Sequence, residues 1–272
     1  MAERSIRLRG SAVLAMTLAS GCGGADTSST AVSGICRVYA SSVTATTTTS
    51  FTGMSSTAAI QNVTASYNAA TNQLSEMSSG TSNDGMCQNT TSWSTNYGSV
   101  QDFTDEVSVI PPKTRWASQS GMATYRGPSP PCANGTFSAT TTSSYDGQGR
   151  LTRSTTTGAG IRFRSMVAAS AGADNIYTTW DVAGRPTAYQ FPDGFGAMVH
   201  LSYDDSARTR TTVNGGGSSG SITTVAAFDA NGNLVRSVTT SRIPPPPISG
   251  GNEFVETEDT RFVIGATMRV CR

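Results

Sequence analysis

The sequence predicts an all-β protein built as an antiparallel meander of β-hairpins. Three observations carry this: the composition, a recurring turn motif, and the strand-forming residues between the turns. Ser and Thr supply 77 of the 272 residues and Gly another 28. These are mediocre to poor helix formers, whereas Thr suits a half-exposed strand and Gly suits the turns between strands. A twisted sheet, a partial solenoid or a small barrel would each satisfy such a meander. With 19 basic residues against 18 acidic ones, no basic surplus marks a nucleic-acid binder. The one histidine, His200, excludes a multi-histidine metal site, and every Ser-His or Cys-His mechanism would have to pass through it. No metal and no cofactor are expected.

The N-terminal residues 1–21 read as a signal peptide: Arg4, Arg7 and Arg9 precede an apolar or small stretch over 11–20. That stretch is too short to span a bilayer, which takes roughly 20 apolar residues. Leu18-Ala19-Ser20-Gly21-Cys22 resembles the lipobox of bacterial lipoproteins, departing only in Ala19, where Leu is usual. The resemblance implies lipidation of Cys22, cleavage after Gly21 and attachment to a membrane by several acyl chains. No Asp directly follows the cysteine, which points to the outer membrane. Residues 22–34 then form a polar tether, and 35–272 the β-rich domain. Setting Cys22 aside leaves Cys36, Cys87, Cys132 and Cys271, an even number that suggests two disulfides in an oxidising compartment. Three pairings are open, and no spacing matches a zinc site.

Within the domain, Ile60, Val63, Tyr67, Ala70, Leu74 and Met77 recur at helical intervals. Interruption by Asn and Thr favours strand-turn-strand over 57–77 instead. Four segments over 137–240 then align: Tyr145-Asp146-Gly147-Gln148-Gly149-Arg150-Leu151, Trp180-Asp181-Val182-Ala183-Gly184-Arg185-Pro186, Tyr203-Asp204-Asp205-Ser206-Ala207-Arg208-Thr209 and Phe228-Asp229-Ala230-Asn231-Gly232-Asn233-Leu234. Tyr67-Asn68-Ala69-Ala70-Thr71-Asn72 is a fainter copy. The Asp can accept backbone N–H groups at the start of a type I turn, and Gly149, Gly184 and Gly232 can take the left-handed conformation that releases the outgoing strand. Ala207 breaks the pattern, because a left-handed Ala costs about 1 kcal/mol more than Gly. The Gly-rich 215–220 reads as a loop, the prolines of 244–247 as a stiff spacer, and the C-terminus as two strands parted near Gly265.

At these segments the chain resembles the YD-repeat, or RHS-repeat, family, whose unit is Tyr-Asp-x-x-Gly-Arg-Leu. Phe191-Pro192-Asp193-Gly194, twelve residues before Tyr203, matches the family's second turn element. The resemblance implies a β-meander. Four or five units are too few for the closed shells of the large toxin-associated members.

No catalytic set emerges. Gly216-Gly217-Ser218-Ser219-Gly220 matches a nucleophile elbow in spelling, but Ile222 to Val225 is strand-like and His200 lies upstream. Asp229-Ala230-Asn231-Gly232-Asn233 starts like a calcium loop but lacks Gly at the sixth position and Glu at the twelfth. His200 reads as a partly buried structural residue. Glu253, Glu256, Glu258 and Asp259 read as a solvated acidic edge rather than a glycosidase pair. Trp93, Trp116 and Trp180, with Tyr97, Tyr125 and Tyr189, are the candidates for stacking on a sugar, Trp180 being assigned to the repeat core. The expectation is a non-enzymatic envelope lipoprotein displaying a structural or recognition module to a glycan or protein ligand. The alternative is an envelope glycoside- or ester-processing hydrolase.

Overall fold

The computed structural model describes residues 36–51, 54–83, 88–98, 100–103, 114–126, 135–160, 173–190, 198–215, 220–245 and 253–271. They form β1 (Cys36–Phe51), β2 (Met54–Asn68), β3 (Gln73–Asn83), β4 (Gln88–Tyr97), β5 (Val100–Phe103), β6 (Thr114–Trp116), β7 (Ser118–Arg126) and β8 (Gly135–Tyr145). The second half of the chain supplies β9 (Leu151–Gly160), β10 (Ala173–Trp180), β11 (Pro186–Gln190), β12 (Met198–Asp204), β13 (Thr209–Gly215), β14 (Ser221–Phe228), β15 (Leu234–Ile243) and β16 (Phe254–Cys271). Fourteen strands close into one antiparallel barrel, each beside its neighbour in the chain, and β5 and β6 form a separate ribbon between β4 and β7. Of the three architectures the sequence admits, closure selects the barrel.

The ring closes where β16 pairs with β1, from Cys36 opposite Cys271 to Phe51 opposite Glu256. A disulfide joins Cys36 to Cys271 at the end of this ladder. The C-terminus is therefore one strand and not two. Gly265 marks a bulge instead, left without a partner where the register shifts around Ser42. Residues 57–77 are strand, turn and strand, with Asn68 opposite Gln73. The helical spacing there is coincidence: Val63, Tyr67 and Leu74 are buried, while Ile60 and Met77 point outward, 45% and 67% exposed.

Paired residues of neighbouring strands share a face, so burial assigns inside and outside. Val43, Val63, Trp93, Ala123 and Phe137 succeed one another through the registers of β1, β2, β3, β4, β7 and β8, bridged on β3 by Ser78. Their row lies inside. The turns at 69–72, 146–150, 181–185, 205–208 and 229–233 lie at the same end as Cys36 and Cys271, since the strands alternate in direction. Near that end the interior is aromatic and apolar, with Tyr39, Tyr67, Leu74, Tyr97, Met268 and Val270 packed together. Burying such side chains contributes about 1.5–3 kcal/mol each. Toward the opposite end the inner faces carry hydroxyls, with Thr47 bonded to Thr260 at 2.8 Å and Thr224 to Thr239 at 3.0 Å.

Outward positions are dominated by Ser and Thr, as in Thr136, Ser138, Thr140, Thr142 and Ser144 of β8, all exposed. Outward apolar residues are scattered among them, including Val38, Ile60, Met77, Met122, Val225 and Val263, with Val225 opposite Val238.

Candidate functional site

Three turns share one set of bonds. Asp146 Oδ1 accepts the N–H groups of Gln148 at 3.0 Å and Arg150 at 2.8 Å. Asp181 does the same for Ala183 and Arg185, and Asp229 for Asn231 and Asn233. The main chain closes as a type I turn, with the N–H of Gly149, Gly184 and Gly232 donating to the carbonyl of the respective Asp at 2.9–3.0 Å. These glycines have φ of +73°, +74° and +73°. The Arg150 backbone N–H is the main cause holding the Asp146 carboxyl below the usual range.

Each turn also reaches the next. Arg150 Nε donates to Asp146 Oδ2 at 2.7 Å, and its guanidinium lies 4.5 Å over the Trp180 ring. Trp180 Nε1 returns a bond to the Leu151 carbonyl at 3.0 Å. One repeat on, Arg185 bonds Asp181 at 2.7 Å and stacks 4.2 Å over Tyr203, whose hydroxyl donates to the Pro186 carbonyl at 2.8 Å. Arg185 also grips Asp205 at 2.7 and 3.2 Å. In the last repeat Asn233 takes the Arg position. Its Nδ2 donates to Asp229, and its Oδ1 accepts the Ala40 N–H of β1 at 3.1 Å. The relay thus ends on the strand that closes the barrel. Sequence reasoning assigned these Arg positions no role, although an Arg after the turn in three of the four segments is visible there.

The third turn is built differently. Asp204 Oδ1 accepts the Ala207 N–H at 2.9 Å, and the left-handed residue is Arg208, at φ 53°. Asn72 plays the same part at φ 54° in the fainter copy. Both are four-residue loops, with Asp204 opposite Thr209 and Asn68 opposite Gln73. Ala207 escapes the strained conformation by passing it to its neighbour.

Among the described residues, one carboxyl sits inside the apolar end. Glu76 is 6% exposed, and Tyr97 donates its hydroxyl to Glu76 Oε2 at 2.8 Å, while Oε1 is buried with no hydrogen-bond partner. Burial pushes the Glu76 carboxyl up to about 8 despite the Tyr97 bond. Neither hydrophobic periodicity nor any motif marks this residue.

The outer wall has a depression of about 510 Å³ across β2, β3, β4 and β7, lined by residues that include Asn62, Ser79, Ser92, Thr124 and Arg126. The registers align Ile60, Thr81, Thr90 and Arg126 in one cross-strand row and Asn62, Ser79, Ser92 and Thr124 in the next. Behind it, the inward position on β3 is Gly80, where a Cβ would stand 2.6 Å from the Ile60 carbonyl oxygen.

The chain matches no family model and no curated protein. Among solved structures, a porin-like protein from Bacteroides uniformis superposes with a TM-score of 0.36 at 10% identity, over 83% of this chain and 96% of that one. Superposition at this level does not establish a shared fold.

Several sequence expectations are redrawn. His200 is exposed on the outer face of β12, not partly buried. Trp93 lies inside, stacked with Phe137 at 6.3 Å and bonded through Nε1 to Thr95, so it offers nothing to an external sugar. Tyr97 is buried on Glu76, and Tyr189 packs against Tyr177 at 5.3 Å. The four acids do not form one solvated edge. Glu256 and Glu258 face inward, where burial and then Glu258 raise the Glu256 carboxyl. Asp259 faces outward to Arg236, at 3.0 Å to both oxygens, and Glu253 pairs with Arg242 at 3.0 Å. Cys22, Cys87 and Cys132, residues 216–219, the turn at 191–194 and the side chains of Trp116 and Tyr125 lie outside the described residues.

Proposed function

We propose that this chain is a non-catalytic cell-envelope lipoprotein whose barrel stands in water as a structural and recognition module. The observation that carries the reading is the outer wall: the buried aromatic and apolar clusters lie inside, and the outer face is mostly hydroxyls and ion pairs such as Arg236–Asp259, with apolar residues only scattered among them. A barrel that spans a bilayer carries an apolar band outward between aromatic girdles. Attachment therefore falls to the lipid on Cys22. The 13 residues between Cys22 and Cys36 reach at most about 45 Å, which ties the end of the barrel bearing Cys36 and the turns to within that distance of the membrane. The turns belong, in this reading, to YD-like units, supported by the bond set that three of them share.

Metabolic labelling with a palmitate analogue and intact-mass analysis test the anchor. Wild type should carry lipid in the outer-membrane fraction, and Cys22→Ser should carry none. Unlabelled wild type cut elsewhere defeats the anchor. Turnover of a glycan or ester panel, abolished by substituting one carboxylate, defeats the non-catalytic reading.

A further inference from the structure

We infer that the depression on the outer wall of β2, β3, β4 and β7 binds a carboxylated polysaccharide. The inference rests on the reading of the barrel as a water-facing recognition module and names its ligand. Asn62 and Thr90 already spend one polar atom each, Asn62 accepting from Thr44 at 2.9 Å and Thr90 donating to the Arg126 carbonyl at 3.4 Å. The hydroxyls of Ser79, Thr81, Ser92 and Thr124 have no hydrogen-bond partner among the described residues. Each can both donate and accept, which matches the hydroxyls of a sugar ring. They stand on a fixed grid, about 4.8 Å apart across strands and about 6.7 Å along them, so their partners must repeat along an extended chain.

Charge narrows the class. Arg126 is exposed, forms no ion pair with a described residue, and ends the row that Ile60, Thr81 and Thr90 begin. No carboxylate among the described residues faces this part of the wall. On other parts of the outer face Arg153 is paired with Asp174 and Arg236 with Asp259, whereas here the guanidinium stands beside a bank of hydroxyls. A guanidinium left open beside a bank of free hydroxyls suits a carboxylate carried on a polyhydroxylated chain. Met77 and Met122 lie in the adjacent outward row, on either side of Ser94, and border the polar bank with two apolar shoulders.

Native electrophoresis through gels containing alginate, a carboxylated polysaccharide, or dextran, a neutral one, tests the site with the intact chain. Alginate should retard the wild type and dextran should not. Ser92→Tyr fills the depression from an outward position and should abolish retardation, and Ser79→Tyr provides the same block on the neighbouring strand. Arg126→Gln should weaken binding about tenfold. Thr140→Tyr, outward on β8 and away from the depression, should bind as wild type does. An unchanged circular dichroism spectrum establishes the fold of each variant. No retardation by alginate, equal retardation by dextran, or full binding by the two tyrosine variants overturns the site. Palmitate labelling of Cys22 is unaffected by any of these results, so the site can fail while the anchor stands.

Discussion

Glu76 shows how one residue can set the pH response of a wall. In the unfolded chain its carboxyl ionises near 4.5, whereas the folded barrel holds the proton up to about 8. Between those values the native state binds one more proton than the unfolded state, so stability falls as pH rises, by about 1.4 kcal/mol per unit. The contribution is fully present below 4.5 and is lost by about 8. Glu76→Gln keeps a neutral group beside Tyr97 and removes this slope. Urea midpoints should agree for the two proteins at pH 4, and the variant should be the more stable at pH 8. Parallel pH profiles would show that Glu76 ionises freely in the fold. Nothing in the sequence announced this residue: it lies in a Ser-rich strand, and only the register that sets it opposite Ala65 and Thr95, on the inner face, gives it a proton to keep.

At the level of the hairpin, Asp, Gly and aromatic positions were legible, because turn chemistry is local and repeats itself. The geometry of the third turn was not, since the strain avoided at Ala207 moves to Arg208 only when the strands settle one register over. Gly184 has φ +74° and open space around the position of a Cβ, with only Arg150 Cγ 3.5 Å away. Gly184→Ala therefore isolates the backbone cost and should lose about 1 kcal/mol. Arg208→Gly relieves a positive φ and should gain a similar amount, whereas Ala207→Gly should gain nothing. Thermal melts of the three variants decide this, and a gain from Ala207→Gly alone would return the left-handed position to residue 207. The relay from Arg to the next aromatic was missed for a different reason: cation–π stacking joins separate hairpins, and no spacing within one hairpin encodes it.

For the whole molecule, composition and alternation made an antiparallel all-β chain readable, but closure was not, because the pairing of β1 with β16 depends on the summed tilt and twist of every strand between them. Four cysteines left three pairings open, and the seam brings Cys36 to Cys271 across a sequence separation of 235. Cys36→Ser should lower stability by about 2–5 kcal/mol. Reductant should move the wild-type urea midpoint to that of the variant, and a midpoint indifferent to both would remove the bond from the oxidised protein. The seam also governs the order of assembly. Every other strand of the ring finds its partner a turn or a loop away, but β1 keeps one raw edge until β16 arrives. Contacts of such long range form slowly, and an unpaired edge invites strands from other chains in the meantime. The hazard for this protein therefore lies in time more than in the finished barrel: it is most prone to aggregate just before its two ends meet.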